Sequence, residues 1–494
     1  MRLAAVLLAS LLVACAAAPP PGAAPLEFTI LHLNDVYEMT PVTGGKEGGL
    51  ARVATLRKQL LDENPNTVTV LAGDLFSPSA LATVRGVDGE RLEGRHMVAA
   101  MNAVGLDYAT FGNHEFDVGH RAFLDRLRES RFAWISSNVF DRQGESFPGV
   151  ARNKVVEIRG RDGKTLRLGF FGLTADINTS DYVGYANFLE AARAQARELR
   201  GRVDVLVALS HLAARQDIAL AEVDLGIDLI LGGHDHENMQ YWRGPRFVPI
   251  FKADANARSA YVHRIRFDLE SRKLTVRSDL QRVTDRIPED AATQAVVRHW
   301  TEHAVAAFRA EGFEPAQGVA AVPIALDGLE SSVRNYPTAL SSLIAEAMRT
   351  AVPGSELAIF NSGSIRVDDV LPPGPLTQLD VIRILPFGGR VCQAEIEGAL
   401  LRRILDQGMA NLGHGGFLQT AGVGQDKSEW RVNGAPLAVA RIYRAAIAEY
   451  LLSGKEQGLG YLTHRTPGIR ADCDKKSDIR FALIAYLQKT YGGR

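Results

Sequence analysis

The chain has 494 residues, 46% of them hydrophobic and 23% charged, with a formal net charge of −1. That length suits two compact units each able to bury a core, and the composition excludes a polar chain too poor in apolar residues to fold. No net basic field draws it to nucleic acid or an anionic membrane, so any affinity for anions has to come from a local site.

In chain order, Met1-Arg2 precedes an apolar run over 3–14 that is too short to span a bilayer and reads as a signal peptide. It closes on Leu12-Val13-Ala14-Cys15, which resembles the bacterial lipobox and implies a lipid on Cys15 after cleavage before it. Residues 16–26 form an Ala/Pro tether, so the expectation is an exported protein held on a membrane by its lipid and facing the periplasm or cell exterior. Only Cys392 and Cys473 remain, which excludes a Cys-rich zinc site and leaves one bridge or two free thiols open.

From 27 to 285, the runs TILHL, TVTVLAG, DYATFG, LRLGFFGL, VDVLVAL and DLILGG alternate with helical patterns at 50–62 and 118–128, an α/β arrangement. A charged, Ala-rich stretch without strand signal marks 286–318 as a linker helix. A second α/β segment occupies 319–494, with helix predicted over 339–348, strand over 357–360 and a strand entering a helix over 391–406.

Five runs in the first segment end in side chains that bind metals. TILHL leads to Asn34-Asp35, TVTVLAG to Asp74, DYATFG to Asn113-His114, VDVLVALS to His211, and DLILGG to His234-Asp235-His236. Ligand sites of α/β sheets lie beyond the carboxyl ends of the strands, so these groups are expected to converge. Oxygen and imidazole donors without thiolate suit Mn, Zn, Fe, Mg or Ca without choosing among them. A pair of ions needs a shared carboxylate, for which Asp74 is the natural bridge, and such a pair suits in-line hydrolysis of a phosphate ester.

The motifs GDLFSPS, FGNHEFDVG, LSH and GGHDHE, in this order, resemble the calcineurin-like metallophosphoesterases, and within them the 5'-nucleotidase family that includes periplasmic UDP-sugar hydrolases. The resemblance implies an N-terminal metallophosphoesterase β-sandwich flanked by helices and a C-terminal α/β substrate domain. It implies one metal on Asp35, Asp74 and His236 and a second on Asp74, Asn113, His211 and His234. His114 and Asp117 would be the pair that meets the phosphoryl group and leaving group without touching metal.

In the second segment, NSGSIR and LPFGG are similar to the family's substrate motifs, which implies that Arg334, Asn361 and Arg366 contact a nucleotide and Phe387 stacks on its base. Tyr461, in Gly458-Leu459-Gly460-Tyr461, stands where the family carries a second aromatic, with the motif's acidic residue missing. Asp35-Val36-Tyr37 departs from the family's Asp-x-His: a phenol with a reference pKa near ~10 is a poor ligand at neutral pH, so the first metal is expected to be the weaker. The activity expected is hydrolysis of nucleotides, nucleoside monophosphates first. The alternatives are another ester on the same fold (UDP-sugar, cyclic nucleotide or thiosulfate type) or a non-catalytic nucleotide-binding surface lipoprotein. No nucleic-acid partner is expected.

Overall fold

The computed structural model describes residues 25–86, 89–160, 162–177, 180–473 and 478–492. The signal segment, Cys15 and the tether up to residue 24 lie outside the described residues.

Along the first half, β1 (Leu26–Leu33), β2 (Thr67–Ala72), β3 (Tyr108–Thr110) and β4 (Ala133–Trp134) come first. β5 (Asn153–Arg159), β6 (Thr165–Thr174), β7 (Val205–His211) and β8 (Leu229–Gly232) follow. β9 (Met239–Arg243), β10 (Val248–Lys252), β11 (Ser259–Phe267) and β12 (Leu274–Arg282) complete two six-stranded sheets. One sheet runs β12-β11-β1-β2-β3-β4 and the other β9-β10-β8-β7-β6-β5. β1 to β4 pair in parallel, as do β6, β7, β8 and β10.

The sheets face each other through Ile30, Val68 and Val70 on one side and Leu168, Phe170, Val207 and Leu231 on the other. Their outer faces are covered too. α1 (Leu50–Glu63), α2 (Arg95–Val104) and α3 (His120–Glu129) cover the first, α4 (Phe188–Leu199) and α5 (Ala214–Glu222) the second. A parallel strand buried on both faces reads as an unbroken apolar run. All residues of β2 and β7 are buried, which is why those two runs stand out in the sequence.

α6 (Ala291–Ala310), capped by the Asp290 carboxylate accepting the Thr293 N–H at 3.0 Å, is the predicted linker helix. It packs on α1 and α2, and its Val297, Ala304 and Phe308 join an apolar cluster that continues into the second segment through Ile344, Met348 and Leu483. Length alone suggested separate cores, but this cluster runs through both segments. There α7 (Ala339–Ala351) and α8 (Gly398–Ala410) pack on a mixed sheet, and α9 (Ile479–Tyr491) packs on α7. Its strands β13 (Leu357–Asn361), β14 (Val391–Glu397), β15 (Leu418–Ala421), β16 (Ile442–Ala448) and β17 (Ile469–Asp472) lie in the order β15-β13-β16-β14-β17. Cys392 on β14 and Cys473 just past β17 form a disulfide, which settles the open thiol question. No described helix is long and apolar enough to cross a membrane.

Candidate active site

Asp35 follows β1, Asp74 follows β2, and Asn113 and His114 follow β3 in the first sheet, while His211 ends β7 and His234 and His236 follow β8 in the second. Both sheets point these ends the same way, so these seven side chains from distant sequence positions meet at one edge of the sandwich. Asp35, Asp74, His234 and His236 all have left-handed backbone, at φ 51°, 60°, 84° and 61°. Non-glycine residues pay for that conformation, and such strain clusters where a site demands it. Gly112 and Gly233 make the approach possible: a Cβ on Gly112 would lie 2.1 Å from Asp74 Oδ1, and one on Gly233 2.4 Å from the Ala72 carbonyl.

At the centre, ligand atoms of Asp35, Asp74 and His211 all lie within 4.8 Å of one another, and all three side chains are fully buried or nearly so. The Ala72 carbonyl meets His211 Nδ1 at 2.7 Å, which turns Nε2 toward the carboxylates. Nε2 stands 3.2 Å from Asp74 Oδ2 yet makes no aligned hydrogen bond, a buried polar atom left without its partner. Burial opposes charge on His211, but Asp74 and Asp35 outweigh it and hold the imidazole up at about 9. His234, pushed down to about 4 by burial and by His211, lies 3.2 Å from Asn113 Oδ1 through its Nδ1. Burial also opposes charge on Asp74, whose carboxyl His211 and His114 nevertheless hold well below the usual range.

His114 Nδ1 and Asp117 Oδ2 are 2.6 Å apart, and the His114 N–H donates to Asp74 Oδ1 at 2.8 Å. The ring's pKa is raised: burial lowers it, and the Asp117 and Asp74 charges more than compensate. The Tyr37 hydroxyl does not stand aside from the site. It donates to Asp74 Oδ2 at 2.8 Å and lies 2.9 Å from His236 Nε2 and 3.3 Å from Asp35 Oδ1. Burial first, then Asp74 and Asp35, push its ionisation well above the ordinary phenol value.

Residues 28–238 match the family model for calcineurin-like phosphoesterase, and residues 316–462 match that for the 5'-nucleotidase C-terminal domain. The chain belongs to the calcineurin-like phosphoesterases that carry a 5'-nucleotidase C-terminal domain. It is a hydrolase of phosphoric esters, from a family that uses divalent metals. Among its relatives, mouse 5'-nucleotidase is 25% identical over 82% of this chain and 75% of its own. The bovine 5'-nucleotidase is 24% identical over 95% of this chain and 90% of its own. The structure of a 5'-nucleotidase precursor from Thermus thermophilus superposes with a TM-score of 0.76 at 23% identity, covering 94% of this chain and 97% of that one.

The donor set of the phosphoesterase domain fits divalent ions: two fully buried carboxylates, an orphaned imidazole nitrogen and further imidazoles around them are oxygen and nitrogen ligands of borderline hardness. Sequence reasoning missed the groups that hold these donors. Glu115, next to His114, is fully buried and accepts the N–H groups of Asp74 at 3.0 Å, Leu75 at 2.5 Å, Phe76 at 3.3 Å and Gly112 at 2.5 Å, tying the Asp74 loop to the Asn113 loop. Burial and the Asp74 charge push its carboxyl up to about 7. Lys252, also fully buried, donates to the carbonyls of Leu212 at 2.5 Å and Gly233 at 2.7 Å and pairs with Asp217 at 2.8 Å and Asp235 at 2.5 Å, behind the two histidine loops.

The C-terminal domain reaches this site unevenly. Arg366 pairs with Glu330 at 3.1 Å, its guanidinium lies 5.7 Å from the centre of the half-exposed Phe387 ring, its Nε is buried without a partner, and its charge is felt at His114. Arg334 pairs with the same Glu330. Asn361 is buried, with its Oδ1 accepting the Ser364 hydroxyl at 2.7 Å and its side chain bonded to Glu456. Tyr461 lies under the Arg403 guanidinium, 3.7 Å from its ring centre, packed in the domain's own apolar cluster. The exposed aromatic within electrostatic reach of both Arg366 and Asp117 is Tyr450, which sequence reasoning did not single out. It follows β16 where the Glu449 N–H donates to the Arg390 carbonyl at 2.9 Å, so it neighbours the Phe387 turn.

Proposed function

We propose that the chain hydrolyses the phosphate monoester of nucleotides, nucleoside monophosphates first, with two divalent ions, and that it works outside the cytoplasm on a lipid anchor at Cys15. Two such ions supply a clamp on the attacking and leaving oxygens and a lowered pKa for water. Asp35, Asp74 and His236 would hold one ion, and Asp74, Asn113, His211 and His234 the other. Asp117, 2.6 Å from His114 Nδ1, fixes the ring so that its other nitrogen serves the substrate, and the raised pKa keeps a proton there for the leaving oxygen. Arg366, with one donor unspent and Phe387 beside it, offers charge and an aromatic face to a flat anionic ligand.

The observation that carries this reading is the meeting of that dyad and the Asp35, Asp74 and His211 cluster with the Arg366 charge from the other domain. The signal segment and lipobox support the location. The test is phosphate release by the tether-free protein from AMP, other nucleoside monophosphates, UDP-glucose, NAD and p-nitrophenyl phosphate, after chelation and re-addition of single metals. Nucleoside monophosphates should be cut fastest, activity should vanish with chelator, and Phe387→Ala should weaken nucleotides far more than p-nitrophenyl phosphate. Release from the generic ester alone, with Phe387→Ala without selective effect, would overturn the nucleotide assignment.

A further inference from the structure

The two histidines whose rings face the Asp35 carboxylate, His211 at 3.8 Å and His236 at 3.4 Å, are anchored from different sides. His211 Nδ1 is held by the Ala72 carbonyl at 2.7 Å, within its own domain. His236 Nδ1 is held at 2.6 Å by Asp368 Oδ2, 132 residues away in the C-terminal domain. The imidazole's other nitrogen, Nε2, then faces Asp35 Oδ1 at 3.4 Å and the Tyr37 hydroxyl at 2.9 Å. A carboxylate on one ring nitrogen fixes which nitrogen is free to bind and where the ring points.

Asp368 is itself tightly set. It is 6% exposed and sits at φ 40°, a conformation that non-glycine residues avoid unless the surroundings impose it. Its second oxygen accepts the Glu330 N–H at 2.9 Å. Its carbonyl accepts Arg258 Nη2 of the phosphoesterase domain at 2.7 Å, and Arg258 also pairs with Asp369 at 3.3 Å. Backbone and side chain of one residue therefore both cross the domain boundary, one to an arginine and one to a metal-site histidine.

We propose that Asp368 is a positioning residue supplied by the C-terminal domain for the first metal site, so that docking of the domains and occupancy of that site stabilise each other while the second site stands independent of docking. The proposal rests on the two-ion reading above. The coupling is reciprocal by thermodynamic necessity: if docking orders His236 for metal, metal on His236 favours docking by the same factor.

The test measures metal affinity directly, by competition with a chromogenic chelator for Mn and Zn, on wild type, Asp368→Ala and Asp368→Asn of the tether-free protein, alongside small-angle scattering with and without metal. Loss of such a carboxylate partner typically weakens a metal by about 10- to 100-fold. Asp368→Ala should weaken one of two sites by that factor and leave the other unchanged. Asp368→Asn, which keeps an acceptor for Nδ1–H, should recover part of the loss. Metal should shrink the radius of gyration of wild type and not of Asp368→Ala. A merely structural role would lower the melting temperature without choosing between sites. Two sites in wild type, both unmoved or equally weakened by Asp368→Ala, overturn this proposal alone. Fewer than two sites in wild type overturns the two-ion reading and this with it.

Discussion

His114 lies beside the proposed metal ligands without being one of them, and the distinction has consequences. Its Nδ1 is taken by Asp117 at 2.6 Å, its backbone N–H by Asp74, and its ring stands edge-on to Tyr37 at 6.2 Å between centroids. Removing the imidazole should therefore leave the donors in place and take away a proton and a charge. His114→Ala is expected to cut kcat by about 10² or more with metal content intact, checked by steady-state kinetics beside elemental analysis. Metal lost in that variant would make His114 a ligand. Single residues were legible in the sequence where chemistry sat directly after an apolar run, as at Asp35, Asp74 and His211. Tyr37 was half legible: the missing imidazole was plain, but the hydroxyl's bond to Asp74 depends on the meeting of two loops. Glu115 and Asp368 were not legible, because a residue that acts by accepting backbone N–H groups or by reaching another domain leaves no local pattern.

Between the two sheets, β1 and its antiparallel partner β11 bury an unusual aromatic group. His32 pairs in register with Tyr261, and Ile30 with His263. The two histidines are fully buried with ring centroids 5.7 Å apart, and Phe251 lies 5.0 Å from His263. Burial pushes His32 down to about 3, and burial together with His32 pushes His263 well below its ordinary value. Both are neutral when folded and gain a proton when unfolded below about 6.5, so their contribution is present above that pH and is lost as pH falls. Each proton taken up only by the unfolded chain costs about 1.4 kcal/mol per pH unit. His263→Phe should accordingly lose less melting temperature between pH 7.5 and pH 5 than wild type does, whatever its stability at pH 7.5. Equal losses in calorimetry would mean that His263 is not neutral in the folded protein. At this scale the parallel strands were the legible elements, since burial on both faces writes itself as a continuous run in β2 and β7. The order of the C-terminal sheet was not legible, since β13 pairs with β15 and β16 through contacts 57 to 88 residues apart that no local pattern encodes.

Across the whole molecule, the domains share an apolar cluster, an Arg383–Glu38 ion pair at 3.3 Å and the Asp368–His236 bond, so the proposed substrate residues and the proposed metal ligands are carried on joined domains. The α/β class followed from run lengths and spacing and the helix between the segments from its charged, Ala-rich composition, while the sandwich was implied only by the family resemblance. The shared core did not, because α6 reads as a charged connector until its few apolar residues find α1 and α2. All of the chemistry argued above passes through Asp74, which touches Tyr37, His114 and His211 at once. The most direct test is the metal-to-protein ratio of the tether-free chain by elemental analysis, wild type against Asp74→Ala, with phosphate release measured on the same samples. Two ions per chain in wild type, and loss of metal and turnover together in Asp74→Ala, are the predicted result. Two ions per chain retained in Asp74→Ala would contradict it.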